Sequence, residues 1–145
     1  MPAKMLHSPE MPIVAVVDDD EAVREALSDL LLVLELACQT FDRAESFMAE
    51  YVPDRFDCLI TDVSMPGRSG LELQERLREL GSTMPVIVIT ADVSPATHAR
   101  ALSGGALACL TKPVNDDVLF RYLQSALNHA GGSRGDDRRD TPSDD

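Results

Sequence analysis

Cys58-Leu59-Ile60-Thr61-Asp62-Val63-Ser64-Met65-Pro66-Gly67-Arg68-Ser69-Gly70 runs from a short apolar segment through an acid and a Pro-Gly turn into a helical pattern. Residues 58–61 read as a buried strand, since a short apolar run bounded by turn signals fits one. Packing alone does not leave a carboxylate at the end of such a strand. The Pro66-Gly67 turn keeps the following chain from covering Asp62, and Ser69-Gly70-Leu71-Glu72 has the spacing of a helix capping box. Asp62 therefore reads as a nucleophile that accepts a phosphoryl group, and the flanking sequence must supply what that chemistry needs.

On both sides of this stretch the same theme recurs, a short apolar run followed by a helical pattern, five times in all. Ile13–Val17 is nearly continuous and β-branched, as in a strand buried on both faces. After Asp18, Asp19 and Asp20, with Asp20 as N-cap, the stripe Val23, Ala26, Leu27, Leu30, Leu31 and Leu34 predicts an amphipathic helix. A weaker strand over 36–41 precedes Asp42-Arg43-Ala44-Glu45, which has capping-box spacing, and a helix presenting Ala44, Phe47, Met48 and Tyr51. The helix after Asp62 stops at Gly81. Val86–Thr90 is the fourth strand, and Ser94-Pro95 opens an Ala-rich helix ended by Gly104-Gly105. Residues 106–111 form the fifth strand before Lys112-Pro113. The last helix starts near Asn115-Asp116-Asp117 and buries Val118, Leu119, Tyr122, Leu123, Ala126 and Leu127.

This alternation predicts an α/β fold, a doubly wound five-stranded parallel sheet with helices on both faces and right-handed crossovers. Ligands of such sheets sit outside the carboxyl ends of the strands. That rule gathers Asp18, Asp19, Asp62, Thr90 and Lys112 on one rim, delivered by four separate strands.

The 145 residues suit one domain over residues 12–130, with residues 1–11 a flexible leader. Residues 131–145 have no large apolar side chain and are expected to be a disordered acidic tail. A formal charge of −12 argues against a nucleic-acid surface, which needs clustered Lys and Arg. No apolar run approaches the roughly 18 residues of a membrane span, and the start carries no secretory pattern. Cys38, Cys58 and Cys109 lack metal-ligand spacing and read as free buried thiols in a reducing cytoplasm. His7, His98 and His129 are isolated and expected to be exposed, with no role.

The chain resembles the receiver domains of bacterial two-component response regulators over about residues 13–130. The resemblance is carried by Val16-Val17-Asp18-Asp19, Thr61-Asp62 with Met65-Pro66-Gly67, Ile89-Thr90-Ala91 and Lys112-Pro113, all in order. Met65-Pro66-Gly67-Arg68-Ser69-Gly70-Leu71-Glu72-Leu73-Gln74 looks most like FixJ-type receivers. The resemblance implies a flavodoxin-like, CheY-like (βα)5 fold with strand order 2-1-3-4-5 and a cis peptide between Lys112 and Pro113. It further implies Asp62 as phosphoacceptor and Mg²⁺ as cofactor. The metal would be held by Asp19, Asp62 and the backbone carbonyl of Ser64, with Asp18 bound directly or through water. Thr90 would donate to the phosphoryl group and Lys112 would pair with another of its oxygens. Ser64 and Asp92, flanking the site, would bear on phosphoryl lifetime. The implied partners are a sensor histidine kinase or histidine phosphotransfer protein and an output protein, and a homodimer is compatible. The implied role is a signalling switch in the cytoplasm rather than an enzyme, with self-catalysed phosphorylation and dephosphorylation only.

Two departures matter. Receivers usually carry Tyr or Phe three residues before the lysine, and here Cys109 occupies that switch position. A small thiol behaves as a buried hydrophobe and cannot perform the aromatic rotamer change. Val114 also replaces the usual Phe after Lys-Pro. The expectation is that phosphorylation is retained while its transmission along the fourth helix and fifth strand is weakened or rerouted. A pseudo-receiver binding partners without phosphorylation is one rival reading. A haloacid-dehalogenase-type phosphatase, with Asp18 as nucleophile and Asp20 as acid/base, is another, but it leaves residues 62–70 unexplained. A calcium loop at residues 18–20 lacks the glycine at its sixth position, where Val23 stands. No output domain follows the last helix in this sequence, which favours a stand-alone receiver over a piece of a longer regulator.

Overall fold

The computed structural model describes residues 11–132 other than Pro66, so most of the expected leader, the tail beyond residue 132, His7 and the side chain of His129 lie outside the described residues. Five strands alternate with five helices: β1 (Ile13–Val17), α1 (Glu21–Val33), β2 (Ala37–Phe41), α2 (Ala44–Glu50), β3 (Cys58–Asp62), α3 (Gly70–Glu79), β4 (Val86–Thr90), α4 (Pro95–Ser103), β5 (Ala108–Thr111) and α5 (Asp116–Gly132). The strands form one parallel sheet in the order β2-β1-β3-β4-β5. This is the order that the family resemblance implies. β5 begins two residues later than expected, and α5 continues two residues past the boundary set at residue 130. Glycine disfavours a helix interior without forbidding it, so Gly131 and Gly132 can extend the preceding turn.

Strand composition explains the layering. β3 and β4 are buried at every residue and β1 at four of its five, as continuous apolar runs require when helices cover both faces. On one face Ala15, Val17, Leu59 and Val88 pack with Ala44 and Phe47 of α2, Leu73 and Leu77 of α3 and Ala101 of α4. On the other, Val14, Val16, Ile60, Ile87 and Ile89 pack with Leu27 and Leu31 of α1 and with Leu119, Leu123 and Ala126 of α5. Burying one such side chain contributes about 1.5–3 kcal/mol, whereas an exposed ion pair contributes about 0–1 kcal/mol. The slab, not surface pairs such as Arg76–Glu79 at 3.4 Å, holds the fold.

The structure corrects several details. Ala26 and Tyr122, expected in buried stripes, are exposed, because each lies at the solvent edge of its helix. Of the three free cysteines only Cys58 is buried; Cys38 and Cys109 are half-buried because they lie on the sheet's two edge strands. Asp42-Arg43-Ala44-Glu45 makes no capping box: Arg43 takes the N-cap position of α2 without a side-chain hydrogen bond. The Glu45 carboxylate reaches instead toward the β3–α3 loop, where it accepts from the Arg68 N–H at 3.4 Å. The caps of α1 by Asp20, α3 by Ser69 and Glu72, and α4 by Ser94 form as the sequence predicts. Among the described residues, no helix is long and apolar enough to cross a membrane.

Candidate functional site

Every strand's carboxyl end opens on the same rim, and β3 brings Asp62 to its centre. A Cβ on Gly70 would lie 1.9 Å from the Asp62 carbonyl oxygen, so only glycine lets the start of α3 sit this close to the end of β3. The Gly70 N–H donates to the Val63 carbonyl at 2.9 Å. The capping box then fixes the helix start, with Ser69 N–H to Glu72 Oε1 at 2.8 Å and Glu72 N–H to Ser69 Oγ at 3.1 Å. Gly67 turns the loop with φ +77°, and the Glu45 carboxylate fills the space that a side chain there would need.

Asp18, at the end of β1, is fully buried and anchored from four directions. Its N–H donates to the Phe41 carbonyl at 3.1 Å. Its carbonyl accepts from Arg24 Nη1 at 2.8 Å, and its Oδ1 accepts from the Asp20 N–H at 2.9 Å. Its Oδ2 lies 2.9 Å from Lys112 Nζ. The Asp20 carboxylate accepts from the Ala22 N–H at 2.9 Å and so belongs to the helix cap. Arg24, which sequence reasoning passed over, is the second cation touching this loop. Its only sequence signal is its place in the second turn of α1, on the side facing the end of β1.

Lys112 follows β5, and its peptide bond to Pro113 is cis. Its ammonium bridges two carboxylates, at 2.9 Å from Asp18 Oδ2 and 3.3 Å from Asp62 Oδ2. Burial pulls the Lys112 pKa down, but contact with Asp18 and then Asp62 more than reverses this and leaves it raised. Burial, then the charge of Asp18, pushes the Asp62 carboxyl above its ordinary range, against the opposing pull of Lys112 and the Ser64 N–H.

One carboxylate oxygen each from Asp18, Asp19 and Asp62 lies within 4.8 Å of the others. Three carboxylates facing one ammonium leave two negative charges uncompensated. Asp18 Oδ2 is buried, and its one charged partner among the described residues is the Lys112 ammonium that it shares with Asp62. An oxygen-only donor set and uncompensated charge together fit a divalent cation of the hard, oxygen-seeking kind. Asp19 is exposed, and Asp18 and Asp62 are buried.

On the neighbouring strands, Thr90 is 1 % exposed and pairs in register with Thr111. Its hydroxyl accepts from the Asp92 N–H at 2.9 Å, and its carbonyl accepts from the Lys112 N–H at 2.8 Å. Cys109 is half-buried; burial, then the charge of Asp92, raises its thiol pKa. His98 differs from the sequence expectation. It is half-buried, and its Nε2 lies 3.1 Å from the Asp92 carbonyl and 3.5 Å from Thr111 Oγ1. An isolated histidine in a weakly amphipathic helix carries no sequence sign of such contacts.

The family model for the response regulator receiver domain matches residues 14–124. The chain is 35% identical over 122 residues to the response regulator protein TodT of Pseudomonas putida, covering 84% of this chain and 54% of that protein. It is 39% identical over 122 residues to the transcriptional regulatory protein FixJ of Azorhizobium caulinodans, covering 84% and 58% respectively. The chain thus spans little more than half the length of these relatives. The crystal structure of a response regulator receiver protein from Pseudoalteromonas atlantica superposes with a TM-score of 0.77 at 34% identity, covering 82% of this chain and 99% of that one.

Proposed function

Because the chain belongs to the response regulator receiver domain family, we propose that it accepts a phosphoryl group on Asp62 and acts as a signalling switch through protein contacts. The observation that carries this reading is the Asp62 carboxylate itself, 4 % exposed, 3.3 Å from Lys112 and clustered with Asp18 and Asp19. Asp19, Asp62 and the Ser64 carbonyl would hold Mg²⁺, with Asp18 bound directly or through water, and the bound ion supplies positive charge against the carboxylates and the phosphoryl oxygens.

The chain's own residues divide the remaining work. An Asp62 carboxylate oxygen forms the new bond to phosphorus as the donor's bond to phosphorus breaks and its electron pair leaves with the donor. Balancing the charge of the Asp62 carboxylate lets it approach the negatively charged phosphoryl group. Lys112 pairs with a phosphoryl oxygen, and the Thr90 hydroxyl donates to a second. Asp18 holds Lys112 in place before the phosphoryl group arrives. The phosphatase rival fits less well, because Asp20 is committed to capping α1 and Asp18 to anchoring the loop and Lys112.

The donors that match this chemistry are a sensor histidine kinase or a histidine phosphotransfer protein, and the consumer is an output protein or a second copy of the chain. The acidic balance leaves this segment unsuited to bind nucleic acid itself, and the reading places it in the cytoplasm. Incubation with acetyl phosphate and Mg²⁺, followed by intact mass, tests it. One phosphoryl increment is expected for the unaltered chain and for Asp18→Asn at reduced yield, and none for Asp62→Asn. No increment on the unaltered chain would favour the pseudo-receiver.

A further inference from the structure

The β4–α4 loop and the end of β5 form a closed ring of hydrogen bonds beside the acidic rim. Thr90 Oγ1 accepts from the Asp92 N–H at 2.9 Å. The Asp92 carboxylate is fixed by the Ser94 N–H and the Thr97 hydroxyl, each at 2.8 Å. The Asp92 carbonyl faces His98 Nε2 at 3.1 Å, and that nitrogen faces Thr111 Oγ1 at 3.5 Å. Thr111 ends β5, and the N–H of the next residue, Lys112, returns to the Thr90 carbonyl at 2.8 Å. A carbonyl can only accept, so His98 Nε2 carries a proton in this arrangement. The 3.1 Å contact is an ordinary hydrogen bond, whereas 3.5 Å lies at the edge of the range. His98 is therefore poised between two acceptors, one on the loop that Thr90 governs and one on β5. Cys109, the neighbour that would carry an aromatic ring in most receivers, offers no comparable link.

We propose that His98 is a positioning residue that couples Thr90 to β5, exchanging its Nε2 proton from the Asp92 carbonyl to the Thr111 hydroxyl when Thr90 turns to the phosphoryl group. The inference rests on the phosphoacceptor reading of Asp62. In the exchange no covalent bond changes: Thr90 moves toward the phosphoryl oxygen, the Asp92 turn shifts with it, and the imidazole follows the acceptor that remains within reach. The route runs over the outside of the α4–β5 junction and does not need the missing ring.

The test compares the unaltered chain, His98→Gln and His98→Leu. Glutamine keeps an N–H near the Nε2 position, and leucine keeps the volume without the donor. Each is incubated with acetyl phosphate and Mg²⁺, weighed intact, and followed by amide and imidazole NMR. The increment is expected in all three. The phosphorylation-dependent shifts of Leu110 and Thr111 are expected in the unaltered chain and His98→Gln and lost in His98→Leu, and the His98 Nε2 resonance moves on phosphorylation. Shifts at Leu110 and Thr111 that survive in His98→Leu, or an Nε2 resonance that stays still, would overturn the coupling while leaving the acceptor reading intact. Absence of the increment from the unaltered chain would overturn both. If His98→Leu fails to fold, the His98→Gln spectra and the Nε2 resonance of the unaltered chain decide the matter.

Discussion

The two halves of the rim are built differently. At the ends of β1 and β3, charged groups are buried and held from several sides. Asp18 has four anchors, Asp62 has a bare glycine pressed against its carbonyl, and one ammonium bridges both. At the ends of β4 and β5, beyond buried Thr90, the groups around the β4–α4 loop are mostly exposed or half-buried, and they are joined by hydrogen bonds between uncharged groups and to the exposed Asp92 carboxylate. The first arrangement suits capture, since electrostatic stabilisation works best when charges are prearranged and need not reorganise. The second suits relay, since a switch needs two arrangements of similar free energy. Under the proposed function, substitutions should separate capture from relay.

The largest effect is expected at the capture half. Lys112→Ala removes the cation shared by Asp18 and Asp62, and initial rates of phosphoryl uptake should fall by about 10²–10³-fold, the usual cost of losing one prearranged charge partner. A rate within a few-fold of normal would move the capture half away from Lys112. Gly70→Ala comes next. A Cβ 1.9 Å from a backbone oxygen cannot be relieved by a rotamer change, and overpacking of this kind costs about 1–3 kcal/mol. The urea midpoint should drop with no change of slope.

A smaller effect follows from the Asp62 pKa. A carboxylate raised in the folded state opposes folding when ionised, and this disappears as pH falls through its folded value. In metal-free buffer, Asp62→Asn should therefore be more stable than the unaltered chain at pH 7, by on the order of 1 kcal/mol. The gap should narrow as pH falls through the folded-state pKa of Asp62 and its carboxyl takes up a proton. Added Mg²⁺ should reverse the order at pH 7 by stabilising the unaltered chain more. Equal stability at pH 7 without metal would mean that Lys112 already balances the site. The smallest effect belongs to the relay half: Cys109→Ala should leave the uptake rate within about twofold, as an edge position away from the reacting groups allows.

How much of this was legible depended on sequence separation. Strands, helices and most caps follow from local patterns, and Ser69-to-Glu72 closes its box because both partners lie within one turn. The rim residues were legible because strand ends in a parallel sheet share one edge. The failures are residues whose role depends on another element. Glu45 had the right spacing for a cap, but its carboxylate turned to the β3–α3 loop, 23 residues away in sequence. Cys38 and Cys109 looked buried because an apolar run reads alike in a central and an edge strand, although the implied strand order already put both residues on edge strands. Arg24 and His98 sit where helical phase alone cannot say what lies opposite, and their partners come from β1, the β4–α4 loop and β5.

The most direct test is to locate the phosphoryl group itself. After incubation with acetyl phosphate and Mg²⁺, the acyl phosphate is reduced with borohydride, which converts the modified aspartate to homoserine, and the position is read by peptide mass. Homoserine at position 62, and nowhere else, is the predicted result. Homoserine at position 18, or an unmodified peptide spanning Asp62 from a chain that had gained a phosphoryl increment, would contradict it.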